Sequence, residues 1–112
     1  MTKSYCPERA DIVWLELNPQ IGHEQAGRRP VLVLSPKEYN MKTRLAMVCP
    51  ITSKAKNYPF EVKIPDGYKV EGVILANHLK SVDWKGRNAK KICSLPMQIV
   101  EEVKILLDSI LS

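Results

Sequence analysis

Gly27-Arg28-Arg29-Pro30-Val31-Leu32-Val33-Leu34 is the stretch whose reading decides the fold. Pro30 fixes φ where four apolar residues begin, and a continuous run of this kind reads as a strand buried on both faces. Just upstream stand Gly22-His23-Glu24-Gln25-Ala26. A polar loop with a carboxylate, two guanidinium groups and two glycines therefore opens directly onto a buried strand. Loops presented by a rigid scaffold are where binding and catalytic groups concentrate.

Working outward, Asp11 to Leu17 is rich in β-branched and bulky residues and is stopped by Asn18-Pro19, which makes it the first strand. After the central run, Ser35 to Asn40 is expected to form a helical turn, with Ser35 as cap and Pro36 in the first helical position. Leu45 to Ile51 is a third strand, its Pro50 near the end, where a missing amide does least harm. Ser53 to Pro59 is a second polar loop carrying Lys54, Lys56 and Tyr58. Phe60 to Ile64 alternates apolar and charged residues, the pattern of a half-exposed strand. A turn at Pro65 to Tyr68 leads to a strand over Glu71 to Asn77, and shorter strands are expected near Ser81 to Trp84 and Ala89 to Cys93.

The period changes at the end. Ile99, Val100, Val103, Leu106, Leu107, Ile110 and Leu111 repeat as one face of an amphipathic helix, entered through Ser94 and Pro96. Buried together at about 1.5–3 kcal/mol each, such side chains make the helix a major part of the core. Short strands followed by one packed helix imply a mainly β fold with α, a small curved sheet or partial barrel closed by a C-terminal helix. The expectation is one domain over residues 1–112.

Composition narrows the function. The chain is 45% hydrophobic, which favours a folded globule over disorder. Its apolar runs fall far short of the roughly 20 residues of a membrane span, and Met1 to Cys6 has no signal-peptide core, so a cytoplasmic protein without a membrane partner is expected. Cys6, Cys49 and Cys93 are odd in number and widely spaced, unlike a disulfide framework, and read as small core residues. Neither they nor the isolated His23 and His78 have metal-finger spacing, so no metal and no cofactor is expected. A net charge of +5, with Lys80, Lys85, Arg87, Lys90 and Lys91 clustered around a single acid, Asp83, points to a polyanion.

Glu24 and Arg29 together can perform RNA chemistry. A carboxylate takes a proton, while a guanidinium holds phosphate oxygens and offsets charge that develops there. Their bland reading is a surface ion pair. Thr52 ends a strand beside the second basic loop, where its hydroxyl would hold a phosphate oxygen; a strand-end threonine is otherwise structural. His23 and His78 read first as exposed or hydrogen-bonded residues. Trp14, Tyr58, Phe60 and Trp84 are able to stack on unpaired bases, although aromatics of a small barrel are commonly core.

These motifs, in this order, resemble the MazF/PemK toxins: Glu24 to Ser35, Tyr39-Asn40, Val48-Cys49-Pro50-Ile51-Thr52, Tyr58-Pro59-Phe60-Glu61-Val62 and Lys80-Ser81-Val82-Asp83-Trp84. The likeness spans essentially the whole chain and is nearest the MazF branch. It implies an SH3-like β-barrel of the CcdB/PemK type, a homodimer, and a toxin of a type II toxin–antitoxin system. The implied activity is ribosome- and metal-independent cleavage of single-stranded RNA at a short sequence, leaving 2′,3′-cyclic phosphate and 5′-hydroxyl ends and arresting growth. The implied partners are a MazE-like antitoxin with an acidic disordered tail and, for the toxin–antitoxin complex only, operator DNA.

The resemblance carries catalytic roles onto Arg29, Thr52 and Glu24. Arg29 stabilises the pentacoordinate phosphate and donates to the leaving oxygen, Thr52 positions the phosphate, and Glu24 accepts the proton. RNA contacts are expected from His23, Gln25, Arg28, Lys54, Lys56, Tyr58, Asn77, His78, Lys80, Lys85 and Arg87. Two positions depart from the family pattern. Ala10 stands where many members have glycine, and Asn77-His78 stand where Asp-Gln is usual. An asparagine cannot take a proton, which leaves Glu24, or His78 if its ring reaches the cleft. The rival readings are a gyrase poison of the CcdB kind and an RNA-binding SH3-like module without catalysis.

Overall fold

A computed structural model describes residues 5–17 and 27–112. The loop bearing His23, Glu24 and Gln25, and the Asn18-Pro19 stop, lie outside the described residues.

The central run forms β2 (Arg28–Val33), which pairs antiparallel with β1 (Asp11–Glu16) on one side. Its other neighbour is β3 (Leu45–Thr52), with Val31 opposite Pro50 and Leu32 opposite Cys49. Val31, Leu32 and Val33 are wholly buried, yet Val31 and Val33 join one core cluster and Leu32 the other. The strand is thus covered on both faces, as its unbroken apolar sequence requires.

β3 is long enough to serve two partners along its far edge. Leu45 to Val48 pair with β6 (Lys80–Asp83), and Ile51 and Thr52 pair with β5 (Val73–Leu75). Pro50, without an amide to donate, falls at this changeover. β4 (Glu61–Lys63) adds to β5, and β7 (Lys90–Ser94) adds to β1 with a bulge at Ile12/Val13. The order is β4-β5-β3-β2-β1-β7 with β6 branching from β3, so among the described residues this curved sheet does not close into a ring.

α2 (Met97–Leu111) packs Ile99, Val100 and Val103 against Ile12, Leu32, Ile51 and Ile74. Leu106 and Leu107 are only partly covered, and Ile110 and Leu111 are exposed, so the last turn contributes less to this core than its periodicity suggests. On the opposite face of the sheet, Val13, Leu15, Val31, Val33, Val48 and Trp84 form the second cluster.

Two buried polar residues fasten the ends. Asp11 accepts from the Tyr5 hydroxyl, the Glu8 amide at 3.1 Å and the Ser94 hydroxyl at 3.0 Å, and pairs with Lys91 at 3.6 Å. Asn40, in α1 (Lys37–Thr43), donates to the carbonyls of Pro7 and Ser35, while its own carbonyl accepts from the Trp84 indole at 3.0 Å. Ser35 does not cap the helix: its hydroxyl donates to the Asn40 side chain and accepts from the Met47 amide, and Pro36 occupies the cap position. Tying two elements together outweighed capping one. The expected strand over Glu71 to Asn77 is also shorter, because the chain turns into a 3₁₀ turn at Ala76–His78.

Candidate active site

Arg29 and Thr52 come from neighbouring strands. The β2–β3 register sets Val31 opposite Pro50, and two residues further along the same antiparallel register Arg29 falls opposite Thr52. Both line a cleft of about 400 Å³, together with Lys54, Lys56, Tyr58, Glu61, Leu75, Asn77 and His78. Four of these side chains are basic and one is a carboxylate. The cleft therefore suits an anion, and its partly enclosed walls strengthen each charge beyond its value in open water.

Thr52 is buried, and its Oγ1 accepts from the Lys54 amide at 3.2 Å. A hydroxyl that accepts in this way keeps its own proton for a second partner. Its backbone is pressed against Gly72, where an added Cβ would stand 2.2 Å from the Thr52 carbonyl oxygen. Gly72 has φ +122, which side chains of L-residues rarely adopt, so only glycine lets β5 start this close to the end of β3. Sequence reasoning missed this role. A glycine directly before the β-branched Val73-Ile74 is the signal for such an approach.

The 3₁₀ turn brings Asn77 and His78 to the cleft wall, with Asn77 exposed and His78 half-buried. Lys54, Lys56 and Tyr58 reach it from the second basic loop, where the Lys56 ammonium lies 6.0 Å from the Tyr58 ring centre. Strand alternation alone gives Glu61 no role in the site. Glu61 accepts from the Lys56 and Asn57 amides at 3.0–3.2 Å and lies in the same wall.

Other expected contacts stand elsewhere. Strand alternation sends Arg28 and Arg29 to opposite faces. Arg28 sits over the Trp14 ring at 5.6 Å and 4.0 Å from Glu16. The Arg87 guanidinium donates to the Glu16 carbonyl at 2.8 Å, which makes a second basic-aromatic patch at the end of β1. Lys80 opens β6, and Lys85 lies in the turn after it; neither lines the cleft. Trp84 is core rather than a stacking platform, while Tyr58 is widely exposed.

Cys49 is a core residue: burial pushes its thiol from 9.0 up to about 12, and Sγ contacts the Ala76 carbonyl. Among the described residues no group of three or more His, Cys, Asp and Glu side chains converges. No helix among them is long and apolar enough to cross a membrane.

A family model described as a PemK-like, MazF-like toxin of type II toxin–antitoxin systems matches residues 8–111. The chain belongs to this family. This toxin is 44% identical over 91 residues to the endoribonuclease toxin MazF of Escherichia coli K12, covering 81% of each chain. It is 37% identical over 109 residues to the endoribonuclease PemK of Escherichia coli, covering 94% of this chain and 82% of PemK. The crystal structure of MazF from Deinococcus radiodurans superposes with a TM-score of 0.93 at 49% identity, covering 96% of this chain and 98% of that one. The expected fold and family are both borne out, with a C-terminal helix on a curved, unclosed sheet.

Proposed function

We propose that this toxin endoribonuclease cuts single-stranded RNA at the Arg29/Thr52 cleft without a metal ion. The ribose 2′-oxygen bonds to the adjacent phosphorus and the bond to the 5′-oxygen breaks. Products are a 2′,3′-cyclic phosphate and a 5′-hydroxyl. Arg29 holds the non-bridging oxygens, whose charge grows in the pentacoordinate state, and donates to the leaving oxygen. Thr52 donates to the same phosphate. Glu24, five residues before Arg29, takes the 2′-proton. Asn77 has no basic atom for that task, and His78 in the cleft wall is the second candidate.

The observation that carries this reading is the convergence of Arg29 and Thr52 from adjacent strand ends on a basic cleft. Tyr58, exposed beside Lys56, supplies a surface for an unpaired base. The cationic cleft equally suits the acidic tail of an antitoxin, and the related Deinococcus radiodurans MazF has been crystallised with MazE. A homodimer is part of the proposal, supported by Ile105 and Leu111 left exposed on α2. On this reading operator DNA is a partner of the toxin–antitoxin complex only, and a cellular RNA substrate fits a cytoplasmic activity.

Incubation with long single-stranded RNA in EDTA, followed by mapping of fragment ends, tests the function. Discrete cuts with cyclic phosphate ends are expected. Retarded but intact RNA would instead mark a binding module, and inhibited DNA supercoiling a gyrase poison.

A further inference from the structure

Glu61 is the only carboxylate lining the Arg29/Thr52 cleft among the described residues, and the loop before it uses both of its oxygens. Oε1 accepts from the Lys56 and Asn57 amides at 3.2 and 3.0 Å, and Oε2 from the Lys56 amide at 3.1 Å. Asn57 has φ +60, the left-handed conformation that lets successive amides point at one anion. The Glu61 amide in turn donates to the Tyr58 carbonyl at 3.1 Å. One residue thus closes the loop through both its side chain and its backbone. At the other end, the Lys54 amide is held by Thr52.

Residues 53 to 59 are all exposed, so packing does little to shape this loop. It also forms a partition: a second cleft of about 590 Å³ lies on its other side, and Tyr58 and Glu61 line both. A carboxylate occupied by loop amides is poorly placed to take a proton from a substrate.

We infer that Glu61 is a positioning residue whose carboxylate fixes the Lys54–Tyr58 loop, so that Lys54, Lys56 and Tyr58 meet the RNA strand in one arrangement. The inference rests on the RNA-cleaving reading above. It assigns Glu61 to binding rather than to the chemical step. Released from the carboxylate, the loop would hold its lysines in many positions, and ordering them again would weaken RNA binding.

The test measures cleavage and the binding of a non-cleavable 2′-O-methyl RNA over a salt series, with wild type, Glu61→Gln, Glu61→Ala and Asn57→Val. Glu61→Gln keeps one oxygen for the amides but loses the charge, and its KM and Kd are expected to fall between those of wild type and Glu61→Ala, with kcat little changed. Glu61→Ala loses the charge-assisted bonds from two loop amides, and is expected to raise KM and Kd about tenfold with a smaller change in kcat. Its salt dependence should flatten by about 0.7 in log–log slope for each lysine disengaged. A scaffold defect alone would not change that slope. Asn57→Val leaves the carboxylate intact but disfavours the left-handed turn, so it should reproduce the Ala phenotype even if Glu61→Ala fails to fold. Loss of kcat in Glu61→Gln at unchanged KM would overturn the inference, as would unchanged affinity and slope in Asn57→Val. Absence of cleavage by wild type would instead defeat the underlying reading.

Discussion

Arg29, near the start of β2, falls opposite Thr52, the last residue of β3, when the register that pairs Val31 with Pro50 is carried two residues further. Buried strands hold both residues, so the sheet fixes their backbones before any substrate arrives. Groups held in this way lose little freedom on meeting a transition state, which is how modest side chains become effective stabilisers. The cleft between them is flanked by a loop tied to Thr52 and Glu61 and by the 3₁₀ turn carrying His78.

Thr52→Val keeps the shape of the side chain and removes the hydroxyl. It loses the acceptor for the Lys54 amide together with the hydroxyl proposed to donate to phosphate. The expected fall in kcat is about 10²–10³-fold, the range for loss of one transition-state donor. Single-turnover cleavage of a defined RNA measures it.

Gly72→Ala would drive a methyl group into the Thr52 carbonyl, and Gly67→Ala supplies the control. Gly67 also has positive φ, but nothing lies within 4 Å of an added Cβ there. Both substitutions should destabilise by on the order of 1 kcal/mol or more through backbone strain. Only Gly72→Ala should also depress cleavage when the two are compared as folded proteins. Equal activity in both would detach Gly72 from the site.

Ala10 adopts φ +78 while its amide donates to Val33 and its carbonyl accepts from Leu95. This left-handed turn joins the N-terminal segment to β1, and alanine pays for it in strain. Ala10→Gly should raise stability by about 0.5–1 kcal/mol, relief of the strain exceeding the added freedom of the unfolded chain. Urea unfolding reads the change, and an unchanged midpoint would contradict it.

Alkaline pH should destabilise the fold. Burial raises the Cys49 thiol from 9.0 to about 12, so the unfolded chain loses this proton first. Stability from this group is complete below pH 9 and declines as pH rises toward 12, by about 1.4 kcal/mol per unit. Tyr5, raised by burial and then by its hydrogen bond to Asp11, acts in the same direction. Cys49→Ala should flatten part of the decline in Tm between pH 9 and 11; an identical slope would refute the assignment.

The unbroken Val31 to Leu34 run and the helical spacing of Ile99, Val100 and Val103 made the sheet and its helix legible, because burial imposes those patterns directly. Ser35 was not legible: its hydroxyl serves Asn40 and Met47, contacts that depend on a tertiary meeting. The turn at Asn77-His78 follows an apolar run that does not mark where the strand stops. Lys80, Lys85 and Arg87 are close in sequence to the cleft residue His78, yet strand direction and the following turn carry them away from the cleft. Gly72 and Glu61 act through backbone proximity and loop amides, which composition does not encode.

On the proposed reading, the cleft built around Arg29 and Thr52 performs the chemistry. Single-turnover cleavage of a defined single-stranded RNA by wild type and Arg29→Ala, at saturating protein and in EDTA, tests it most directly. A rate lower by about 10²–10³-fold or more is expected in the variant, with its fold intact by circular dichroism. An unchanged rate would contradict that reading.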